Sequence, residues 1–152
     1  MAAWIFLTAA AACGGPGAPA GAPPGERIWV ANIGGVVDQL GRDLELAGSG
    51  GATLEAARSA LGDQADLYTI LVAYTDFGGC SHMVAAAGDA PARFVRVERM
   101  LGSACALLER AARLFTRATS AHDPRALLAA GRATLRASPL LARARDELER
   151  AR

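Results

Sequence analysis

The sequence predicts an all-α protein, an antiparallel bundle of about four main helices that follows a disordered tether of glycine, proline and alanine. Three observations support this fold class. Aromatic residues make up only 5% of the chain, whereas alanine and leucine dominate, which favours closely packed helices over a sheet. Apolar residues recur at steps of three and four over most of the chain after Glu26. The one strongly apolar run has no second run with which a strand would pair.

Length and charge limit the interpretation. The 152 residues are enough for one domain and a tail, and all sixteen basic residues are arginine. The net charge of +1 hides a separation, because residues 26–89 sum to −6 and residues 90–152 to +7. We interpret these charged residues as lining the solvent-exposed faces of acidic early helices and basic late helices. Nucleic-acid binding is not predicted, since the only aromatic residues of the basic half, Phe94 and Phe115, fall on its apolar stripe.

The first 25 residues have the composition of a targeting segment. A short apolar block, Trp4 to Thr8, is followed by alanines, by Cys13 and by a stretch that contains only glycine, proline and alanine. This order resembles the precursors of bacterial lipoproteins, in which the cysteine after the cleavage site is lipidated and becomes the mature N-terminus. The resemblance implies a signal peptide over residues 1–12, lipidation of Cys13 and a flexible tether over residues 13–25.

The segment differs from typical lipoprotein precursors at two points. Alanine replaces the branched residue three positions before the cysteine, and no basic residue precedes Arg27. Two alternatives stay open: cleavage after Ala18-Pro19-Ala20 would release a secreted protein, and an uncleaved chain would be cytosolic. The apolar or small residues from Trp4 to Ala12 are too few for a permanent transmembrane helix, which needs about 20.

The folded domain is expected over residues 26–152 and begins with an amphipathic helix. Its apolar stripe consists of Trp29, Ile33, Val36, Leu40 and Leu44. The polar residues between them, Asp43 included, lie mostly off this stripe. The glycines of residues 48–51 are expected to end the helix, and a short helix is predicted after Thr53.

The segment from Leu67 to Phe77 is the predicted centre of the core. Only two threonines and one aspartate interrupt its apolar character, so it is expected to be buried on most sides. Because a strand here would have no partner, we predict a helix that is capped by Asp63 or Asp66. The glycines at 78–79 are expected to end or kink it, and residues 88–91 form a turn.

Two further helices complete the predicted bundle. The third main helix has the most regular stripe, which consists of Phe94, Val97, Leu101, Ala104, Leu108, Ala111 and Phe115. The fourth is predicted to begin at Asp123-Pro124, a cap followed by proline at the first helical position. Its buried face is expected to carry Leu127, Leu128, Gly131 and Leu135, and then Leu140, Leu141, Ala144 and Leu148. Ser138-Pro139 repeats the start signal and predicts a kink or a new helix.

The two cysteines of the folded domain predict a disulfide. Cys80 follows the glycines at 78–79, and Cys105 lies at the edge of the apolar stripe of the third main helix. A helical hairpin that turns near Asp89 would bring the two segments that carry these cysteines together. If the protein is exported and Cys13 is lipidated, these two cysteines pair without remainder. The alternative, expected in the cytosol, is a pair of buried free thiols.

A metal site is a weaker interpretation of the same region. The candidate ligands are Asp76, Cys80, His82, Met83 and His122. They combine the sulfur and imidazole that copper and zinc prefer. Their spacing matches no strong metal motif, and oxidation of Cys80 would remove one ligand. Neither a metal nor another cofactor is therefore predicted.

Catalysis is not predicted either. Ser81 and His82 are neighbours, but no glycine-flanked elbow surrounds the serine, and no phosphate-binding glycine motif is present. We expect an exported, lipid-anchored helical bundle of the cell envelope that has a binding or structural role. Its lipid would reach the membrane, and its partner would be an envelope protein or a small ligand. The alternatives are a bundle that binds a ligand or metal beside Tyr74, Cys80 and His82, and a cytosolic interaction module.

Overall fold

The computed structural model describes residues 23–51 and 64–151, with side chains over residues 23–48 and 70–151. Every regular element within these ranges is helical, which confirms the predicted all-α class. The elements are α1 (Pro24–Gly51), α2 (Gln64–Gly78), α3 (Cys80–Ala86), a 3-10 turn (Ala92–Phe94), α4 (Val95–Ala121) and α5 (Pro124–Arg150). The predicted signal peptide, Cys13 and the helix after Thr53 lie outside the described residues, and α1 begins two residues before the predicted start of the domain.

The helices form the predicted antiparallel bundle, in which α2 and α3 together make one arm. Near the start of α1, Trp29 stacks on Phe94, which immediately precedes α4, with ring centroids 5.1 Å apart. Because α5 returns along α4 after a connection of two residues, it runs opposite to α1, and its second half meets α1 where Asp38 accepts a hydrogen bond from Arg145 at 2.9 Å. Helices α4 and α5 are joined by two residues and have the most extensive interface in the described part of the chain.

The stripes of α1 and α4 form most of the core. All seven residues predicted for the α4 stripe are buried. In α1 the buried apolar residues are Trp29, Val30, Ile33, Val37, Leu40 and Ala47. The predicted Val36 and Leu44 lie at the edges of this face and are only partly buried. The predicted buried face of α1 is therefore correct, apart from a small rotation that places Val37 rather than Val36 in the core.

Over its described side chains, residues 70–78, helix α2 is buried on one face only, which corrects the prediction that the segment is buried on most sides. Its core residues within the described side chains are Ile70, Ala73, Tyr74 and Phe77. Leu71 and Val72, on the other side, are 43% and 40% exposed. The reason is the bundle geometry, because α2 packs against α1, α3 and α4, and no other described element covers its outer side.

The first half of α5 faces the core with alanine rather than with leucine, so the predicted register is wrong there. The buried residues of this half are Ala126, Ala130, Ala133, Thr134 and Ala137. Leu128 and Leu135, which were expected inside, are 41% and 72% exposed. Short side chains allow α5 to approach α4 closely, and this close approach leaves the larger leucines outside. In the second half, Leu141, Ala144 and Leu148 are buried as predicted.

The two proline signals of α5 have different outcomes. Asp123 caps the helix as predicted, since its carboxylate accepts hydrogen bonds from the backbone N–H groups of Arg125 and Ala126 at 2.9 and 3.2 Å. No new helix begins at Pro139, because α5 continues through it to Arg150. Pro139 lies on the exposed face, where water can bind the carbonyl that loses its helical partner.

Candidate functional site

The Cys80–Cys105 disulfide joins α3 to α4 inside the core. The two Cα atoms are 5.2 Å apart, and the residues are 0% and 1% exposed. The N–H of Gly79 is shared between the carbonyls of Thr75 and Asp76, at 3.2 and 3.0 Å, so the chain leaves α2 and enters α3 at this point. The structure thus pairs the two cysteines as the sequence predicts.

Tyr74 of α2 belongs to an aromatic cluster with Phe77 and Phe115. Its ring stacks on Phe115 of α4, with centroids 4.0 Å apart and an interplanar angle of 5°. It also meets the ring of Phe77 edge-on, at 5.3 Å. Burial raises the pKa of Tyr74 to about 12, so its phenol is protonated at neutral pH. Tyr74 therefore acts as a packing group between α2 and α4.

A groove of about 340 Å³ runs between α2 and α4. Its lining residues are Leu71, Tyr74, Thr75, Gly78, Glu109, Ala112, Arg113, Phe115 and Thr116. The backbone N–H of Ser81 donates a hydrogen bond to Glu109 at 3.0 Å, and hydrogen bonding from Ser81 lowers the pKa of this carboxyl. The groove thus combines an apolar floor with one carboxylate and one guanidinium group. Cys80 and His82 do not line it.

The candidate metal ligands do not converge. Asp76 accepts a hydrogen bond from Gln39, and Cys80 is in the disulfide. His82 is exposed on α3, and His122 is exposed in the turn after α4, where it has a left-handed backbone with φ of 52°. Over residues 23–51 and 64–151, no three His, Cys, Asp or Glu side chains are arranged to hold a metal ion.

A polar cluster between α1 and α2, with Asp43 as its buried member, was not predicted from the sequence. Asp43 is 1% exposed, although it was expected off the apolar stripe. The side-chain amide of Gln39 donates to Asp43 at 3.1 Å and to Asp76 at 3.2 Å, and Arg42 donates to the Gln39 carbonyl at 2.8 Å. Burial, and next the charge of Asp76, raise the pKa of Asp43 to about 6. The spacing of four between Gln39 and Asp43 is the one local signal of this cluster.

Comparisons with known proteins give no relative from which a function could be transferred. No family model, no curated protein and no solved structure matches the chain. None of the helices within the described ranges has the length and apolar character that crossing a membrane requires.

Proposed function

We propose that this protein is exported and acts in the cell envelope as a lipid-anchored helical bundle, with a binding or structural role rather than a catalytic one. The observation that carries the proposal is the buried Cys80–Cys105 pair at disulfide distance. Disulfides form and persist in oxidising compartments and are rare in the cytosol. The third cysteine, Cys13, stands between a short apolar segment and a Gly/Pro/Ala stretch, as in lipoprotein precursors.

The titratable groups with shifted pKa values support a non-catalytic role. The Tyr74 phenol stays protonated in the core, and the Glu109 carboxylate is held by Ser81. Asp43 is enclosed in the α1–α2 interface, where Gln39 binds it. Asp43 does not line the groove between α2 and α4, whereas catalytic acids and bases with shifted pKa values usually face a cleft. Tyr74 and Glu109 do line it, but the Tyr74 ring packs on Phe115 and the Glu109 carboxylate accepts a hydrogen bond from Ser81.

Fractionation of cells that express the full chain tests the proposal. The wild-type protein is expected to stay in the membrane fraction through a high-salt wash, which screens electrostatic binding, whereas Cys13→Ala is expected to be released because the lipid cannot be attached. Cys105→Ala is the matched control, since it removes a different cysteine and leaves the attachment site intact. The proposal would be overturned if the wild-type protein were cytosolic, with an uncleaved N-terminus and free thiols.

Small-ligand binding is a second candidate, and the groove between α2 and α4 favours it. Its volume of about 340 Å³ is within the range of ligand pockets, and its floor includes the Tyr74 and Phe115 rings. Glu109 and Arg113 would select a ligand with an apolar body and a charged end. A thermal-shift screen of small amphiphiles tests this candidate, with Arg113→Gln as the variant that removes the cation. A ligand that stabilises both proteins equally would exclude the groove.

A further inference from the structure

Helices α4 and α5 carry a concentration of positive charge. Residues 99–145 contain nine arginines and two acids, although the net charge of the whole chain is only +1. Between Pro124 and Arg145 there is no acid at all. We define the basic face by its exposed arginines, which are Arg110, Arg125, Arg132, Arg136 and Arg143.

Three arginines of the basic face line one groove between α4 and α5. Arg110 of α4 and both Arg132 and Arg136 of α5 line it, around a floor that includes Ala129 and Ala133. Within the described residues, no carboxylate lies within salt-bridge distance of these three guanidinium groups. The arginines that do pair with an acid are Arg93, Arg96, Arg117, Arg145 and Arg150. The groove therefore gathers cations without counter-charge, which an anionic group such as a phosphate would neutralise.

Two large apolar side chains lie among these arginines. Leu128 and Leu135 are exposed, and they stand four residues before and three residues after Arg132, on the same side of α5. Guanidinium groups alternating with exposed leucines are typical of a helix that lies in a membrane interface, where arginine meets phosphate and leucine enters the acyl boundary. Surfaces that bind single-stranded nucleic acid instead interleave basic residues with aromatic side chains for stacking, and α5 contains no aromatic residue.

We propose that the basic face docks on an anionic phospholipid membrane, with a headgroup phosphate in the groove formed by Arg110, Arg132 and Arg136. Leu128 and Leu135 then enter the interface beside it. This inference rests on the proposed function, because a lipid anchor at Cys13 keeps the bundle beside a bilayer.

The covalent distance from the anchor allows this orientation. The eleven residue-to-residue steps from Cys13 to Pro24 span at most about 40 Å, whatever their conformation. Helix α4, with 27 residues, is about 40 Å long. A bundle anchored at Cys13 can therefore lie with α4 and α5 along the same bilayer.

Vesicle sedimentation of the full, oxidised chain carrying Cys13→Ala tests docking without the anchor. The protein is expected to bind vesicles rich in phosphatidylglycerol and not vesicles of phosphatidylcholine. Because each basic residue near an anionic surface strengthens binding about fivefold, Arg132→Gln/Arg136→Gln is expected to weaken binding about 30-fold. The matched control, Arg27→Gln/Arg42→Gln, removes the same charge from exposed positions of α1 and is expected to have little effect. Leu135→Gln, which changes no charge, is expected to weaken binding as well.

Three results would overturn the inference. These are no binding to phosphatidylglycerol vesicles at low salt, an equal loss in both arginine pairs, and tighter binding to a DNA duplex than to the vesicles. Thermal melting of each variant verifies that it is folded, and all four substituted arginines are exposed. Failure of the proposed function is distinguishable from failure of this inference, because the vesicle assay uses a chain that has no lipid, whereas fractionation after a high-salt wash removes electrostatically bound protein and reports the anchor.

Discussion

Asp43 of α1 and Asp76 of α2 face each other across a helix interface, and a single amide, the Nε2 group of Gln39, donates a hydrogen bond to both carboxyl groups. Asp43 is almost completely buried. Burial and, second, the charge of Asp76 raise its pKa from 3.8 to about 6. The folded protein therefore retains a proton on Asp43 at pH values where the unfolded chain has lost it.

This relationship predicts that the bundle becomes more stable as the pH falls from 7 toward 4. The folded pKa lies above the unfolded one, so the stabilisation is complete below about pH 4 and is lost as the pH rises through about 6. Titration of Asp43 is expected to lower the free energy of unfolding by on the order of 2 to 3 kcal/mol as the pH rises from 4 to 7. Urea denaturation at a series of pH values measures it.

A substitution at each of two positions isolates the source of this pH dependence. Asp43→Asn removes the titrating group and is expected to flatten the profile between pH 4 and 6. Glu45→Gln changes an exposed acid on the same helix and is expected to leave the profile unchanged. If the two variants had the same profile, the pH dependence would not originate in the Asp43–Asp76 pair.

Removal of the disulfide is expected to lower the free energy of unfolding by about 3.5 kcal/mol, because the bond restricts the unfolded chain over a loop with a sequence separation of 25 residues. The comparison is between wild type and Cys80→Ala/Cys105→Ala, each measured with and without reductant. Reductant should destabilise only the wild type. Equal denaturation midpoints for oxidised and reduced wild type would show that the bond does not contribute.

The register of the helices predicts that replacing leucine by alanine has a large effect on stability in α4 and a small one in the first half of α5. Leu101→Ala, at a position with 0% exposure, is expected to cost about 2 to 5 kcal/mol. Leu135→Ala, at 72% exposure, is expected to change stability by less than about 0.5 kcal/mol. Chemical denaturation of both variants measures the difference, and similar losses would mean that the described orientation of α5 is wrong.

Tyr74 tests the contact between α2 and α4. Tyr74→Ala removes the ring that stacks on Phe115 and is expected to cost about 3 to 5 kcal/mol. Tyr74→Phe keeps the ring and removes only the hydroxyl, so its loss is expected to be about 1 kcal/mol or less. Thermal or urea unfolding of both variants compares them. A larger loss for Tyr74→Phe would indicate that the hydroxyl group, and not the ring, stabilises this contact.

Local signals predict the helical class, the α4 stripe and the start of α5. The stripe of α4 has large apolar residues on one side and arginine on the other, and Asp123 is followed by proline at the first helical position. These patterns specify structure within a few residues of themselves. The Cys80–Cys105 pair was also predictable, because few cysteines remain once Cys13 is assigned to the N-terminal segment.

Features that depend on how closely two helices approach were not predictable in the same way. The outward position of Leu135 results from the alanines that bring α5 near α4, and a single helix does not show which of its two possible faces meets a neighbour. The buried position of Asp43 likewise depends on Asp76, which arrives on another helix. The groove between α2 and α4 and the basic groove between α4 and α5 require the positions of both helices.

The non-reduced intact mass of the native protein, isolated from the membrane fraction of its host, tests the central claim most directly. We predict a mature chain that begins at a diacylated Cys13 and is lighter than its reduced form by the hydrogens of one disulfide. A chain with an uncleaved N-terminus and free thiols at Cys80 and Cys105 would contradict both the export and the oxidised state that the proposed function requires.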